Sequence, residues 1–245
     1  MKFAIIQRLL LGFVLIIAVI VLNFFLLHAA PGDVVDAMLA EAGGGDEEMA
    51  ARLRASYGLD QPIYIQLVKY LGRVLTGDLG HSFYYDDSVT TLLLGHLPTT
   101  LMLTLSALVI AVVLGTLFGV YAAIKPNGFF SNFVTVFSLF GYATPVFWLG
   151  MIILLAFALY LPLFPAYGIR SIPEPETAIG RFFDIINHLV LPTFTLAILY
   201  LANYSRISRA AMLDVLGADY IRTARTKGLP EIKVIFKHAL KNASL

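Results

Sequence analysis

Arg222, Arg225 and Lys227 put three cations within six residues, interleaved with the hydroxyls of Thr223 and Thr226 and the small residues Ala224 and Gly228. Such a set holds many donors and no nucleophile paired with a base. Its chemistry is charge-assisted hydrogen bonding to a polar or anionic surface. At helical spacing Leu216, Gly217, Tyr220, Ile221, Ala224 and Gly228 share one face from Leu213 onward, while Asp219, Arg222 and Arg225 face elsewhere. Gly228-Leu229-Pro230 ends that helix sharply. A second amphipathic stretch follows, with Ile232, Ile235, Phe236, Ala239, Leu240 and Ala243 opposite Lys233, Lys237 and Lys241. Two surfaces suit this pattern: anionic lipid and a soluble protein partner. Periodicity alone leaves both open.

The elements that must hold this segment are apolar. Of 245 residues, 59% are hydrophobic and 13% charged, against about a quarter charged in soluble domains. Leu9 to Leu27, Leu101 to Ile124, Phe133 to Leu161 and Leu189 to Tyr204 contain no Asp, Glu, Lys or Arg. The first is 19 residues long, roughly 28 Å as a helix against a hydrocarbon core of about 30 Å. Four spanning helices are expected, and with them an all-α polytopic bundle that partners the lipid bilayer. Lys2 and Arg8 before the first run also fit a secretion signal. Signal cores are shorter, about 7–15 residues, and Pro31 after Ala29-Ala30 is a poor cleavage context, so an uncleaved anchor is expected. Cysteine is absent, which removes disulfides and thiol metal sites.

Basic residues set the orientation. With the N-terminus inside, the inner pieces 1–8, 125–130 and 205–245 carry 11 Lys and Arg against 3 acids. The outer pieces 28–98 and 162–188 carry 6 basic and 13 acidic residues. The near-neutral whole thus hides a strong asymmetry. The expected organisation is an anchor plus extracytoplasmic segment over 1–98 and a membrane core over 99–245.

Between the runs, Pro31-Gly32-Asp33 reads as a helix stop, Met49 to Ser56 as a helix ended by Gly58, and Pro62 to Leu75 as an amphipathic helix. Gly115 and Gly119 form a GxxxG that allows close helix approach. Lys125 to Gly128 is a tight inner turn. Pro145, beside Thr144 and Gly141, predicts a kink within the third run, where a pathway lining or a merely tolerated proline are both possible readings. Pro162, Pro165, Pro173 and Pro175 predict an irregular outer loop, with the fourth helix starting near His188 and continuing to Leu216.

Asp219-Tyr220-Ile221-Arg222-Thr223-Ala224-Arg225-Thr226-Lys227-Gly228-Leu229 closely resembles the cytoplasmic loop of membrane permeases of ATP-binding-cassette importers, in the dipeptide, oligopeptide and nickel subfamily. Their broader signature is Glu-Ala-Ala, three free positions, then Gly. Ala224 and Gly228 match the second Ala and the Gly, whereas Arg222 and Thr223 stand in the other two places, a departure the subfamily shares. Arg8-Leu9-Leu10, Pro31-Gly32-Asp33, Tyr57-Gly58-Leu59-Asp60-Gln61-Pro62, Gly77-Asp78-Leu79-Gly80 with Ser82, Leu97-Pro98-Thr99-Thr100 and Ala143-Thr144-Pro145-Val146-Phe147 extend the resemblance along nearly the whole chain.

The resemblance implies a type I importer permease in a bacterial or archaeal plasma membrane. Such a subunit pairs with a second permease, docks on two cytosolic ATPases and receives its solute, peptide or nickel or another small molecule, from an extracytoplasmic binding protein. The 213–229 helix would then be the coupling helix, carried by Asp219, Tyr220, Ile221, Arg222, Thr223, Ala224, Arg225, Lys227, Gly228 and Leu229, with small Ala224 and Gly228 permitting close approach. The resemblance also implies six crossings, so the sequence ending at Leu245 after four is expected to be C-terminally truncated. No Gly-x4-Gly-Lys-Ser/Thr phosphate loop occurs, so hydrolysis is assigned to another polypeptide and no cofactor, metal, catalytic residue or nucleic-acid partner is expected.

Two rival classes fit less well. A membrane-embedded enzyme wants converging ionisable groups at depth, yet the histidines at 28, 81, 96, 188 and 238 are scattered and lack His-Glu-x2-His spacing. An ion-coupled carrier or channel-like protein wants charges or broken helices in the bilayer. Pro145 alone speaks for it, and it stands as the alternative.

Overall fold

The computed structural model describes residues 2–41, 43–82 and 84–243, so the predicted end at Leu245 lies outside the described residues. Contacts divide the chain into two compact units, residues up to His96 and from Leu97 onward.

The first unit holds α1 (Lys2–Ala29), α2 (Val34–Glu41), α3 (Glu47–Tyr57), α4 (Ile63–Leu75) and a two-residue antiparallel hairpin, β1 (His81–Ser82) with β2 (Asp87–Ser88). Local chemistry starts and stops these helices. The Asp46 carboxylate accepts the Met49 N–H at 2.7 Å, and Gly58, at φ +70°, ends α3 in the left-handed conformation. Asp33 Oδ1 accepts the N–H groups of Val35 and Asp36, each at 2.9 Å, and so opens α2. The amphipathic α4 packs on α1 through Tyr70, whose ring centroid lies 5.6 Å from that of Phe24, leaving Tyr64, Val68 and Leu75 exposed.

Arg54 clasps α2 to α3, donating from Nε to Asp33 Oδ2 at 2.6 Å and from Nη2 to Asp36. The Arg54 guanidinium holds the Asp33 carboxyl below its ordinary range, against a smaller opposing effect of burial. A carboxylate with a depressed folded pKa stabilises the fold above its unfolded value of about 3.9, and that stabilisation fades as pH falls through the folded value. Amide exchange of α2 and α3 should therefore be slower in the parent than in Arg54→Ala near neutrality. The two should converge in acid below about pH 4.

The second unit is a bundle built around one long helix. It contains most of α5 (Val89–Ile124), then α6 (Phe129–Ala143), α7 (Val146–Leu154), which runs on as π-helical Leu155–Tyr160, and α8 (Ala178–Leu216). A short α9 (Asp219–Thr226) and α10 (Glu231–Lys233) follow, the latter passing through π-helical Val234–Ala239 into α11 (Leu240–Ala243). Both α5 and α6 lie on α8 where glycines remove side chains. A Cβ on Gly115 would fall 2.7 Å from Tyr204 Cβ, and one on Gly141 2.5 Å from Ala202 Cβ. The GxxxG at Gly115 and Gly119 thus packs α5 against α8, backbone to backbone. Ser106 and Thr193 hydroxyls, 3.1 Å apart, add a hydrogen bond between the same two helices.

Among the described residues three helices are long and apolar enough to cross a membrane, at Ile5–Ala29, Val89–Ile124 and Ala178–Leu216. The pair α6 and α7 makes a fourth crossing if counted as one span. Three expectations change here. The kink at Pro145 is a break of 104° between two helices. Proline disfavours the helical conformation at the residue before it. Thr144 is accordingly extended (ψ 125°), its Oγ1 donating to the Phe140 carbonyl at 2.6 Å, and Pro145 opens α7. Helix α5 begins at Val89, 12 residues before its apolar run. Helix α8 begins at Ala178, 10 residues before His188, because the Thr177 hydroxyl accepts the Gly180 N–H at 3.0 Å and caps it.

Candidate functional site

The basic segment does not continue α8. Leu213 to Leu216 are the last turn of α8, Gly217 and Ala218 break the chain direction, and α9 is a separate helix of 8 residues. The expected single helix over 213–229 is therefore two. Ala218 is extended (φ −73°, ψ 147°), so the periodic face drawn through Leu216 and Tyr220 does not exist as one surface. At the other end Gly228, at φ +75°, donates to the Arg225 carbonyl at 2.9 Å, a left-handed turn that side chains disfavour. A Cβ there would meet nothing within 4 Å. Within this chain Gly228 is required for its backbone angle and not for room.

The helix is anchored on one side and open on the other. Ile221 is 0% exposed and Ala224 8%, and both enter a cluster with Val120, Met212, Val234, Ile235 and Ala239. Ala224 is thus small to fit its own core, and close approach by a partner at that position is not what the packing provides. Asp219, Tyr220, Arg222, Thr223, Thr226 and Lys227 face outward with Leu229 at the end. The Arg222 guanidinium is only loosely near Asp219, at 3.9 Å. Tyr220 Oη accepts from Asn242 Nδ2 at 3.1 Å, tying α9 to α11.

Arg225 is already engaged. Its Nη2 donates to Glu231 at 2.6 Å and its Nε at 3.2 Å, a fork across the Gly228-Leu229-Pro230 turn. Each partner shifts the other: the guanidinium lowers the Glu231 carboxyl, and the carboxylate raises Arg225. Arg222 and Lys227 are outward cations on this segment that take no part in that fork.

Sequence reasoning missed the link between this end of α8 and the inner turn. Arg209 Nε donates to Ser131 Oγ at 2.9 Å and Nη2 reaches the Pro126 carbonyl at 3.4 Å. Residues 78 and 83 positions apart leave no local signal of such a bond. Thr144 and Pro145 are not gathered at α9. They lie beyond the far end of α6 from the inner turn, about 22 Å away along a 15-residue helix.

Comparison with known proteins covers nearly the whole chain. Residues 115–245 match the model for the binding-protein-dependent transport system inner membrane component, and residues 1–104 match the model of its N-terminal region. The chain is similar to the oligopeptide transport system permease protein AppB of Bacillus subtilis, 37% identical over 98% of this chain and 75% of the relative. It is similar to the di/tripeptide transport system permease protein DppB of Pseudomonas aeruginosa, 38% identical over 92% and 71%. The dipeptide transport system permease protein DppB of Escherichia coli K12 is 36% identical over 94% and 72%.

Proposed function

Because this chain belongs to the family of binding-protein-dependent transport system inner membrane components, we propose that it forms half of a peptide translocation pathway and is driven through α9. The chain is a multi-pass inner-membrane permease of an ATP-binding-cassette importer, and in this family hydrolysis belongs to a separate subunit. The finer reading has four parts. A second permease completes the pathway, two cytosolic ATPases dock beneath it, an extracytoplasmic binding protein delivers the solute, and the solute is a peptide, as the names of the relatives suggest. Residues 1–98 supply an anchor and an extracytoplasmic segment, and 99–245 the core.

Orientation follows from charge. Counting α6 and α7 as one crossing puts α9 on the same side as the N-terminus, and the excess of Lys and Arg on that side supports the cytosol. The observation that carries the coupling role is the two-sidedness of α9. Ile221 and Ala224 fix it to α5, α8 and the 231–243 helix, while Arg222 and Lys227 point away from the protein. A lever needs both a rigid seat and a grip.

Arg222→Glu combined with Lys227→Glu tests the grip. Like charges brought together at an interface cost several kcal/mol, so ATPase co-purification should fall at least tenfold and solute-stimulated hydrolysis should disappear. Unchanged stimulation by the variant in the assembled importer would refute the coupling role.

A further inference from the structure

We infer that a cavity between α5, α7 and α8 is a solute subsite that takes an apolar peptide side chain and fixes a neighbouring ammonium group on His188 Nε2. The cavity holds about 410 Å³, within the range of small-molecule sites. Leu103, Gly150, Leu154 and Leu191 make its wall apolar, and the chain at Pro165 to Gly168 covers one side. His188 lines it with a side chain only 4% exposed.

The ring's hydrogen bonding sets its polarity. His188 Nδ1 lies 2.8 Å from the Asp184 carbonyl oxygen. A carbonyl only accepts, so in the neutral imidazole the proton sits on Nδ1 and Nε2 presents a lone pair. Nε2 has no partner among the described residues. The cavity lies against this ring.

The Asp184 carboxylate buttresses this arrangement. It accepts from Ser171 N at 2.8 Å and Ser171 Oγ at 2.6 Å, and lies 3.5 Å from His188 Nδ1. The ring is therefore held in place. An apolar chamber with an acceptor at one end selects a ligand with a donor at that end. A hydrocarbon chain would leave Nε2 unsatisfied, which disfavours lipid as the occupant.

Naming that ligand a peptide rests on the proposed function; the cavity and its acceptor do not. The test uses the full chain in lipid nanodiscs, without ATPase or binding protein, titrated with alanyl-phenylalanine and with N-acetyl-alanyl-phenylalanine. The free-amine peptide should bind saturably and shift the Nε2 nitrogen resonance of His188, and the acetylated peptide should bind about tenfold more weakly. His188→Leu should lose binding at least tenfold while His188→Gln, which restores an acceptor, recovers part of it. Equal affinity of parent and His188→Leu, or no saturable binding by the folded parent, would overturn the subsite. If His188→Leu does not fold, the two peptides on the parent decide, and equal binding of both rejects the role of Nε2. Since no ATPase is present, failure here leaves the coupling role of α9 standing, and failure of coupling leaves this result standing.

Discussion

Gly119→Ala will destabilise the bundle, and Gly12→Ala will not. A methyl on Gly119 would lie 2.5 Å from Ser208 Cβ, 2.7 Å from the Ser205 carbonyl oxygen and 2.8 Å from the Arg209 N. Two of those three atoms are backbone, so relief requires α5 and α8 to move apart. Overpacking of this kind costs about 1–3 kcal/mol. Replacing a helical glycine by alanine gains only about 0.5–1 kcal/mol, so the loss wins. Around Gly12 nothing lies within 4 Å, and there the propensity gain acts alone. Thermal unfolding in one detergent should order the three proteins as Gly12→Ala at or above the parent and Gly119→Ala several degrees below. A Gly119→Leu protein should be worse still.

Ile221→Ala will unseat α9 while leaving the spanning helices folded. Ile221 is fully buried in the cluster formed with Met212, Val234 and Ala239. Truncating a buried isoleucine typically costs about 2–5 kcal/mol, and the higher helix propensity of alanine returns only a few tenths. An 8-residue helix has little stability of its own. The loss should therefore appear as local opening. Amides of α9 should exchange one hundred-fold faster or more, and those of α6 should hold their protection. In the assembled importer the same variant should keep its solute delivery site but lose stimulated hydrolysis. Thr226→Ala, on the exposed side of the same helix, should stay within about 0.5 kcal/mol of the parent.

Composition made the membrane bundle legible, because burial of charge in lipid is costly enough to leave long uncharged runs. Helix ends were less legible. An uncharged run reports where lipid is and not where a helix starts, so α5 and α8 both extend beyond theirs into polar sequence. The Thr177 cap was present to be read, three residues before Gly180, but four nearby prolines suggested a loop. At Pro145 the residue type was read correctly and the size of its effect was not. Thr144 both turns extended and closes α6 with its hydroxyl, so the chain turns through 104° where a kink was expected. Over residues 213–229, helical spacing from Leu213 to Gly228 suggested one continuous face. Periodicity carries no sign of a break in chain direction, and Gly217-Ala218 makes one. The inward direction of Ala224 depends on Val234 and Ala239, contacts that only the tertiary fold creates.

If α9 couples the permease to its ATPase as proposed, it lies in the cytosol with Arg222 outward. The chain contains no cysteine, so Arg222→Cys carries a single thiol that a membrane-impermeant maleimide can report. Labelling in inside-out vesicles, and protection of the thiol when the ATPase subunits are added back, is the result expected. Labelling in intact cells, or full reactivity with the ATPase bound, would contradict it.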